Sequence, residues 1–148
     1  TSAKDCLSKD PFVIGKSRRY KEGKDITLIA TGGILGDANI ASVELKKLGI
    51  DARVVGMHSI KPIDVDEIID AATNTGGIVT IEEHNKDGGL GSAISEVCMD
   101  LGIIPGKFLR IGLENKYSSI VGSQQYLRSR YDMDSKAIIN KVKKILNS

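Results

Sequence analysis

The chain has 148 residues, 41% of them hydrophobic and 27% charged, with a formal net charge of +2. That is enough for one ordinary domain with a real core, too little for two sizeable ones, and too apolar for a disordered chain. Basic residues are interspersed with acidic ones along most of the sequence, which excludes the charge footprint of a nucleic-acid binder; the one gathering, Lys16, Arg18, Arg19, Lys21 and Lys24, is explained by a solvated strand face.

Residues 1–11 are polar and poorly patterned and read as an extension or linker ahead of a single domain over residues 12–148. The chain opens at Thr1 rather than Met, which fits a piece of a longer polypeptide or a processed or trimmed form. Residues 12–20 are expected to add one strand, antiparallel and hairpin-linked to the next through Lys21-Glu22-Gly23-Lys24. From Asp25 onward, short β-branched runs alternate with amphipathic stretches. The run ITLIA at 26–30 reads as a buried strand, ended by Thr31-Gly32-Gly33. A helix is predicted over about 35–48, with Ala38, Ala41, Leu45 and Leu48 on one face. Gly49 is placed to end it, because glycine tolerates the left-handed conformation after a last turn.

RVVGM at 53–57 is the next strand, broken by Lys61-Pro62. Asp64, with Glu67 three residues later, is a capping-box-like start for a short helix through Ala72. Gly76-Gly77 turns the chain into a strand at 78–82. A glycine-rich loop then leads to a helix whose inner face carries Ala93, Ile94, Val97 and Leu101. KFLRIG at 107–112 is the last strand. Two helical segments close the chain, with Ser123 and Asp134 as caps and Ile138, Val142 and Ile145 on one face of the second. Such alternation demands a mainly parallel, mixed sheet covered by helices on both faces, a three-layer α/β/α domain. With no Trp, two Phe and four Tyr, its core must come from Ile, Val, Leu and Ala.

Few residues point to chemistry. Cys6 and Cys98 lie far apart without CxxC spacing, so neither a metal site nor a disulfide framework is indicated, and Cys98 reads as a small buried hydrophobe. Two glycine-rich turns, TGGILG at 31–36 and GGLG at 88–91, follow strands and open helices, where backbone N–H groups can cradle phosphate. Neither fits G-x-G-x-x-G, since Ile34 and Ile94 stand where glycine or a small residue is needed, and no Gly-Lys-Ser/Thr follows for a Walker A loop. The plainer reading is a tight turn that lets a helix pack close to the sheet. Glu82, Glu83 and His84 cluster at a strand's C-terminal end, where α/β sheets place ligands. They suit acid–base work or, with Asp87, a metal; the plainer reading is hydrogen bonding that orders the next loop. His58, at another strand end, is a candidate neighbour of His84. Ser59, Ser92, Ser118, Ser119 and Ser123 form no G-x-S-x-G elbow, and Tyr117 with Tyr126 reads as packing. The anion-binding or interface candidates are therefore Gly32, Gly33, His58, Glu83, His84, Gly89 and Gly91. No apolar run approaches a membrane span and no signal-peptide pattern is visible, so a cytoplasmic protein is expected.

Gly23-Lys24-Asp25-Ile26-Thr27-Leu28-Ile29-Ala30-Thr31-Gly32 resembles the opening of the transketolase C-terminal domain. Met57-His58-Ser59-Ile60-Lys61-Pro62-Ile63-Asp64 resembles that family's KPLD or KPID stretch. Val79-Thr80-Ile81-Glu82-Glu83-His84, followed by Gly88-Gly89-Leu90-Gly91-Ser92-Ala93, resembles its T-[VI]-E-[ED]-H…GG-[LIF]-G segment. Arg110-Ile111-Gly112 and Tyr131-Asp132-Met133-Asp134 also fit, and all stand in the family's order and spacing over residues 12–146.

This resemblance implies a thiamin-diphosphate-dependent enzyme. Transketolase, 1-deoxyxylulose-5-phosphate synthase and the β subunits of 2-oxoacid dehydrogenases share such a domain, downstream of pyrophosphate- and pyrimidine-binding domains or of the latter alone. Lys61-Pro62-Ile63-Asp64 and Glu83-His84 look more like transketolase, and the synthase usually has asparagine in place of His84. The implied reaction of the complete enzyme is two-carbon ketol transfer between sugar phosphates, as in the pentose phosphate pathway. The family's GDG motif for Mg²⁺ and diphosphate is not reproduced: Gly36-Asp37 is followed by Ala38, and Asp87-Gly88-Gly89 lacks the preceding glycine. The resemblance thus assigns this chain no catalytic, cofactor or metal residue. It implies a structural, dimer-supporting module of a homodimer, packed on the pyrimidine domain through an apolar patch and inactive alone. A free-standing module that binds a small anion at its two glycine turns is the alternative from another class.

Overall fold

Apolar runs without alternation belong to strands covered on both faces, and this fold is organised around them. The computed structural model describes residues 16–58, 60, 62–83, 89–113 and 124–147. Its elements, in chain order, are β1 (Arg18–Lys21), β2 (Ile26–Ala30), α1 (Ile34–Lys47), β3 (Ala52–Gly56), α2 (Val65–Asn74), β4 (Ile78–Glu83), α3 (Leu90–Leu101), β5 (Phe108–Leu113) and α4 (Gln124–Leu146). The sheet runs β1-β3-β2-β4-β5, with β3, β2, β4 and β5 parallel and β1 antiparallel on β3. This is the expected three-layer α/β architecture with a mixed sheet.

Every residue of β2 and β3 is buried. Successive side chains take opposite faces. Leu28, Val54, Val79 and Ile81 join Ala38, Ala41 and Leu45 of α1 and Ile138 and Val142 of α4 in one core. Ile29, Val55 and Ile78 join Ile68 and Ala71 of α2 and Leu90, Ile94 and Cys98 of α3 in the other. A fully buried aliphatic side chain contributes about 1.5–3 kcal/mol, so the two layers carry most of the domain's stability. Cys98 fills its place as a hydrophobe, and burial pushes its thiol pKa up.

Several expectations need correction. The β1–β2 connection is not a hairpin, because both edges of β2 are already paired, with β3 and β4. Strand β1 therefore sits beyond β3, with Arg18 opposite Gly56 and Lys21 opposite Val54 and a bulge between Arg19 and Lys21. The chain returns across the start of β3 at Gly23, where any Cβ would run into the Ala52–Arg53 backbone. Leu48 is 55% exposed, because α1 ends at Lys47 and Leu48 leaves the helical path as its C-cap. The inner stripe of α3 is Leu90, Gly91, Ile94 and Cys98, so Ala93 and Val97 are half-buried and Leu101 is exposed. The two C-terminal helices are one continuous α4, with Asp134 inside it, since neither glycine nor proline interrupts residues 124–146. Ser123, Tyr117 and the strand expected at residues 12–15 lie outside the described residues.

The expected helix stop at Gly49 holds, with φ of +83°, and Gly102 caps α3 in the same way at +66°. Asp64 caps α2, its Oδ1 accepting from Glu67 N–H at 3.3 Å, but Glu67's own carboxylate is turned to Arg19.

The two kinds of glycine predict different penalties. Gly23→Ala forces backbone apart and is expected to cost about 3 kcal/mol. Gly49→Ala meets open space and only the strain of positive φ, and is expected to cost about 1 kcal/mol. Urea unfolding midpoints at unchanged m-value check both.

Candidate functional site

Helix α1 carries the chain from β2 to β3 on one side, and α2 returns it to β4 on the other. The C-terminal ends of β2 and β4 therefore flank the topological switch point, where open α/β sheets form a crevice. Thr31-Gly32-Gly33 leaves β2 there, Met57-His58 leaves β3, Glu82-Glu83 ends β4, and Gly89-Leu90-Gly91 opens α3. The fold thus brings Gly32, Gly33, His58, Glu83, Gly89 and Gly91 to one edge of the sheet. His84, with Asp87, Gly88, Ser59 and Lys61, lies outside the described residues.

Glu82 takes the hydrogen-bonding part that the plainer reading gives its trio; what sequence reasoning missed is its partner, the start of α3. It is buried, and its two carboxylate oxygens accept from Leu90 N–H at 2.8 Å and Gly91 N–H at 2.9 Å. These are first-turn amides of α3, which has no side-chain cap of its own at Gly89. A helix N-terminus is an anion site by virtue of its free N–H groups and dipole. Here the anion is the protein's own side chain. The signal was present in the sequence: a helix opening on Gly-Gly-Leu-Gly offers no capping side chain, so its donors need one from elsewhere. At the other glycine turn, Gly33 precedes α1 without a side-chain cap bond, and the first turn carries the buried carboxyl of Asp37.

The glycines have separate physical reasons. Gly32 has φ +58° and nothing within 4 Å of a would-be Cβ, so its backbone conformation requires it. A Cβ on Gly91 would stand 2.8 Å from Thr80 Oγ1 and 2.9 Å from Arg110 Nε. Its bare backbone seats α3 against β4 and β5, where Arg110 Nη2 donates to Ser92 Oγ at 3.1 Å. His58 is exposed and lies 3.5 Å from the Tyr20 hydroxyl; partial burial, helped by the charge of Arg18, holds its pKa below the ordinary histidine value. Among the described residues, no group of three His, Cys, Asp or Glu is placed to hold a metal. A groove of about 400 Å³ lined by Leu109, Lys141, Lys144 and Ile145 lies away from the switch point, between β5 and the end of α4. Exposed large apolar side chains gather at the end of α3, with Met99 80% and Ile104 88% exposed.

Glu82→Gln keeps the shape but sets an amide N–H₂ against one of the two helix donors. It is expected to cost about 2 kcal/mol. Gly91→Ala lifts α3 off the sheet at a cost of about 2 kcal/mol. Thermal and urea melts check both, and far-UV circular dichroism should show the fold retained.

Comparison with known proteins agrees with this geometry. The family model for "Transketolase, C-terminal domain" matches residues 15–138. The chain is 35% identical over 130 residues to the 6-deoxy-6-sulfo-D-fructose transketolase subunit SqwH of Clostridium sp. (strain MSTE9), a match covering 88% of this chain and 39% of that protein. It is 34% identical over 140 residues to 1-deoxy-D-xylulose-5-phosphate synthase of Syntrophotalea carbinolica, covering 95% of this chain and 22% of that enzyme. A solved structure described as a split gene transketolase, inactive beta4 tetramer, superposes with a TM-score of 0.78 at 35% identity, covering 96% of this chain and 46% of that one. The chain thus spans less than half the length of each of these proteins. On the family match and these identities, it belongs to the transketolase C-terminal domain family.

Proposed function

We propose that this chain is the C-terminal module of a transketolase, completed by pyrimidine- and pyrophosphate-binding domains on the same polypeptide or on a separate subunit. The complete enzyme, a cytoplasmic homodimer, transfers a two-carbon ketol unit from a ketose phosphate to an aldose phosphate. Thiamin diphosphate, held with Mg²⁺ in the other domains, supplies the carbanion chemistry. The work of this chain is structural: it packs on the pyrimidine domain and supports the dimer. By itself it is inactive.

One observation carries this reading. At the sheet edge where an α/β domain would take a phosphorylated ligand, α3 spends its first N–H groups on Glu82, and the first turn of α1 carries Asp37. A diphosphate approaching either helix start meets a carboxyl group rather than a free cradle. The sequence likewise lacks the family's GDG motif. The split-gene relative, of which this chain matches 46%, supports partner domains supplied from outside the matched segment.

Calorimetric titration with thiamin diphosphate and Mg²⁺ is the direct test. The chain alone is expected to give no saturable heat, and joined to its pyrimidine and pyrophosphate domains it should support ketol transfer. Saturable binding by the chain alone would overturn the structural role. The match to the synthase over 95% of the chain favours one competing assignment. Product analysis of the completed enzyme separates the two, since the synthase would form 1-deoxyxylulose 5-phosphate instead of a ketol-transfer product.

A further inference from the structure

Strand β1 is unlike the other strands. None of its four residues is buried, whereas all of β2 and β3 is. Its ladder to β3 is short and bulged. Its main apolar contact is the ring of Tyr20, which lies over Gly56 so closely that a Cβ there would stand 2.6 Å from it. Lys21 Nζ reaches Ser42 Oγ of α1 at 3.4 Å. Further polar contacts to the segment come from one helix and its cap.

Helix α2 and its cap present four carboxylates to residues 16–19. Asp64 Oδ2 accepts from Ser17 N–H at 2.7 Å and Ser17 Oγ at 2.9 Å. Asp66 meets Lys16 at 3.4 Å, with both side chains exposed. Glu67 takes Arg19 in a two-point pair, Nη2 to Oε2 at 2.7 Å and Nε to Oε1 at 3.2 Å, and Asp70 Oδ2 accepts from the same guanidinium at 2.8 Å. Glu22 completes the shell of Arg19 at 3.1 Å.

Releasing Arg19 does not strand Glu67 or Asp70. Arg53 of β3, buried beneath them, donates to Asp70 Oδ2 and lies 3.6 Å from Glu67 Oε1. Burial opposes ionisation of Asp70, yet hydrogen bonds from Asn74 and Arg53 and the charges of Arg53 and Arg19 hold its carboxyl below the usual carboxylate range. For Glu67 and Asp70, the cost of leaving a buried charge unpaired, which normally makes such pairs hard to break, is therefore largely absent; buried Asp64 keeps the Glu67 N–H as its partner. The far end of the segment is fixed, since Gly23 is wedged on the Ala52–Arg53 backbone.

We infer that residues 16–22 form a strap that opens as a unit while the four parallel strands stay folded, with the α2 carboxylates as its latch and Gly23 as its hinge. Opening bares the edge of β3 and frees about 20 Å of extended chain ahead of Gly23.

Native-state hydrogen exchange, resolved by peptide across a series of sub-denaturing urea concentrations, tests this on the chain as it stands. Amides of β1 are expected to exchange through an opening with little urea dependence, well ahead of those in β2 and β4. Arg19→Met, which keeps the aliphatic stem, should speed β1 exchange about tenfold and leave β2 and β4 unchanged. If β1 in the unaltered chain shares the rate and urea slope of β2 and β4, it opens only with the whole fold and the strap does not exist. If Arg19→Met accelerates all three strands equally, the latch is part of global stability and the inference fails in the same way.

Discussion

The two-sided burial of β2 is the constraint on which the rest of this domain depends. Its five residues face helices above and below, so none of its backbone groups can turn to water and all must pair within the sheet. Parallel neighbours on both sides satisfy them, β3 through residues 52–56 and β4 through residues 78–81. Parallel pairing in turn demands crossovers long enough to hold a helix, which places α1 and α2 on opposite faces. With both edges of β2 taken, an upstream strand must join an outer edge of the sheet, and the short link through Gly23, packed on the start of β3, brings it to the far side of β3. The antiparallel edge position of β1 follows from that requirement together with the close crossing at Gly23.

The same winding creates a crevice at the C-terminal ends of β2 and β4, and the way the domain fills it bears on what that edge can bind. Doubly wound domains that bind phosphorylated ligands leave helix N-terminal donors free at this edge. Here Glu82 is buried on two of them. A carboxylate that satisfies two N–H groups locks α3 to β4, and it also places negative charge where a phosphate would have to sit. The site geometry of a ligand-binding fold is thus spent on internal order, and that fits a family in which the matched segment is less than half of its relatives.

Much of this architecture was legible in the sequence because two-sided burial leaves a local mark. ITLIA and the apolar stretch near residue 54 could be read as core strands without any partner in view, and Gly49 and Asp64 announce a helix end and a helix start from neighbouring residues alone. What could not be read depends on residues far apart in the chain. The hairpin expected at Lys21–Lys24 failed because local turn chemistry carries no information on whether β2 has a free edge. Stepping through the helices puts Leu48 and Leu101 on apolar faces, but Leu48 is already the C-cap of α1 and Leu101 the last residue of α3. Glu82 was seen as one acid in a trio, while its partners, eight and nine residues on, become visible only when the helix start folds back over the strand. The candidates at Gly32, Gly33, His58, Glu83, Gly89 and Gly91 do share one sheet edge, a prediction of topology rather than of chemistry.

Arg53 shows how an electrostatically costly residue can shape a fold without stabilising it. It stands in a fully buried parallel strand, where a charge must be paired and an apolar side chain of similar size would be at least as favourable. Its guanidinium, with a side chain only 7% exposed, fixes Glu67 and Asp70 on the side of α2 that faces the sheet edge. Those acids then have charge to spare for Arg19, which lies further out and is better hydrated at 29% exposure. An inner pair that stays closed and an outer pair that shares its acids divide the contact between core and edge. The inner cation keeps α2 registered on the sheet, and the outer one ties β1 to the same acids. Without Arg53, parting β1 from α2 would leave desolvated carboxylates behind, and the edge strand would be tied to the core by that penalty.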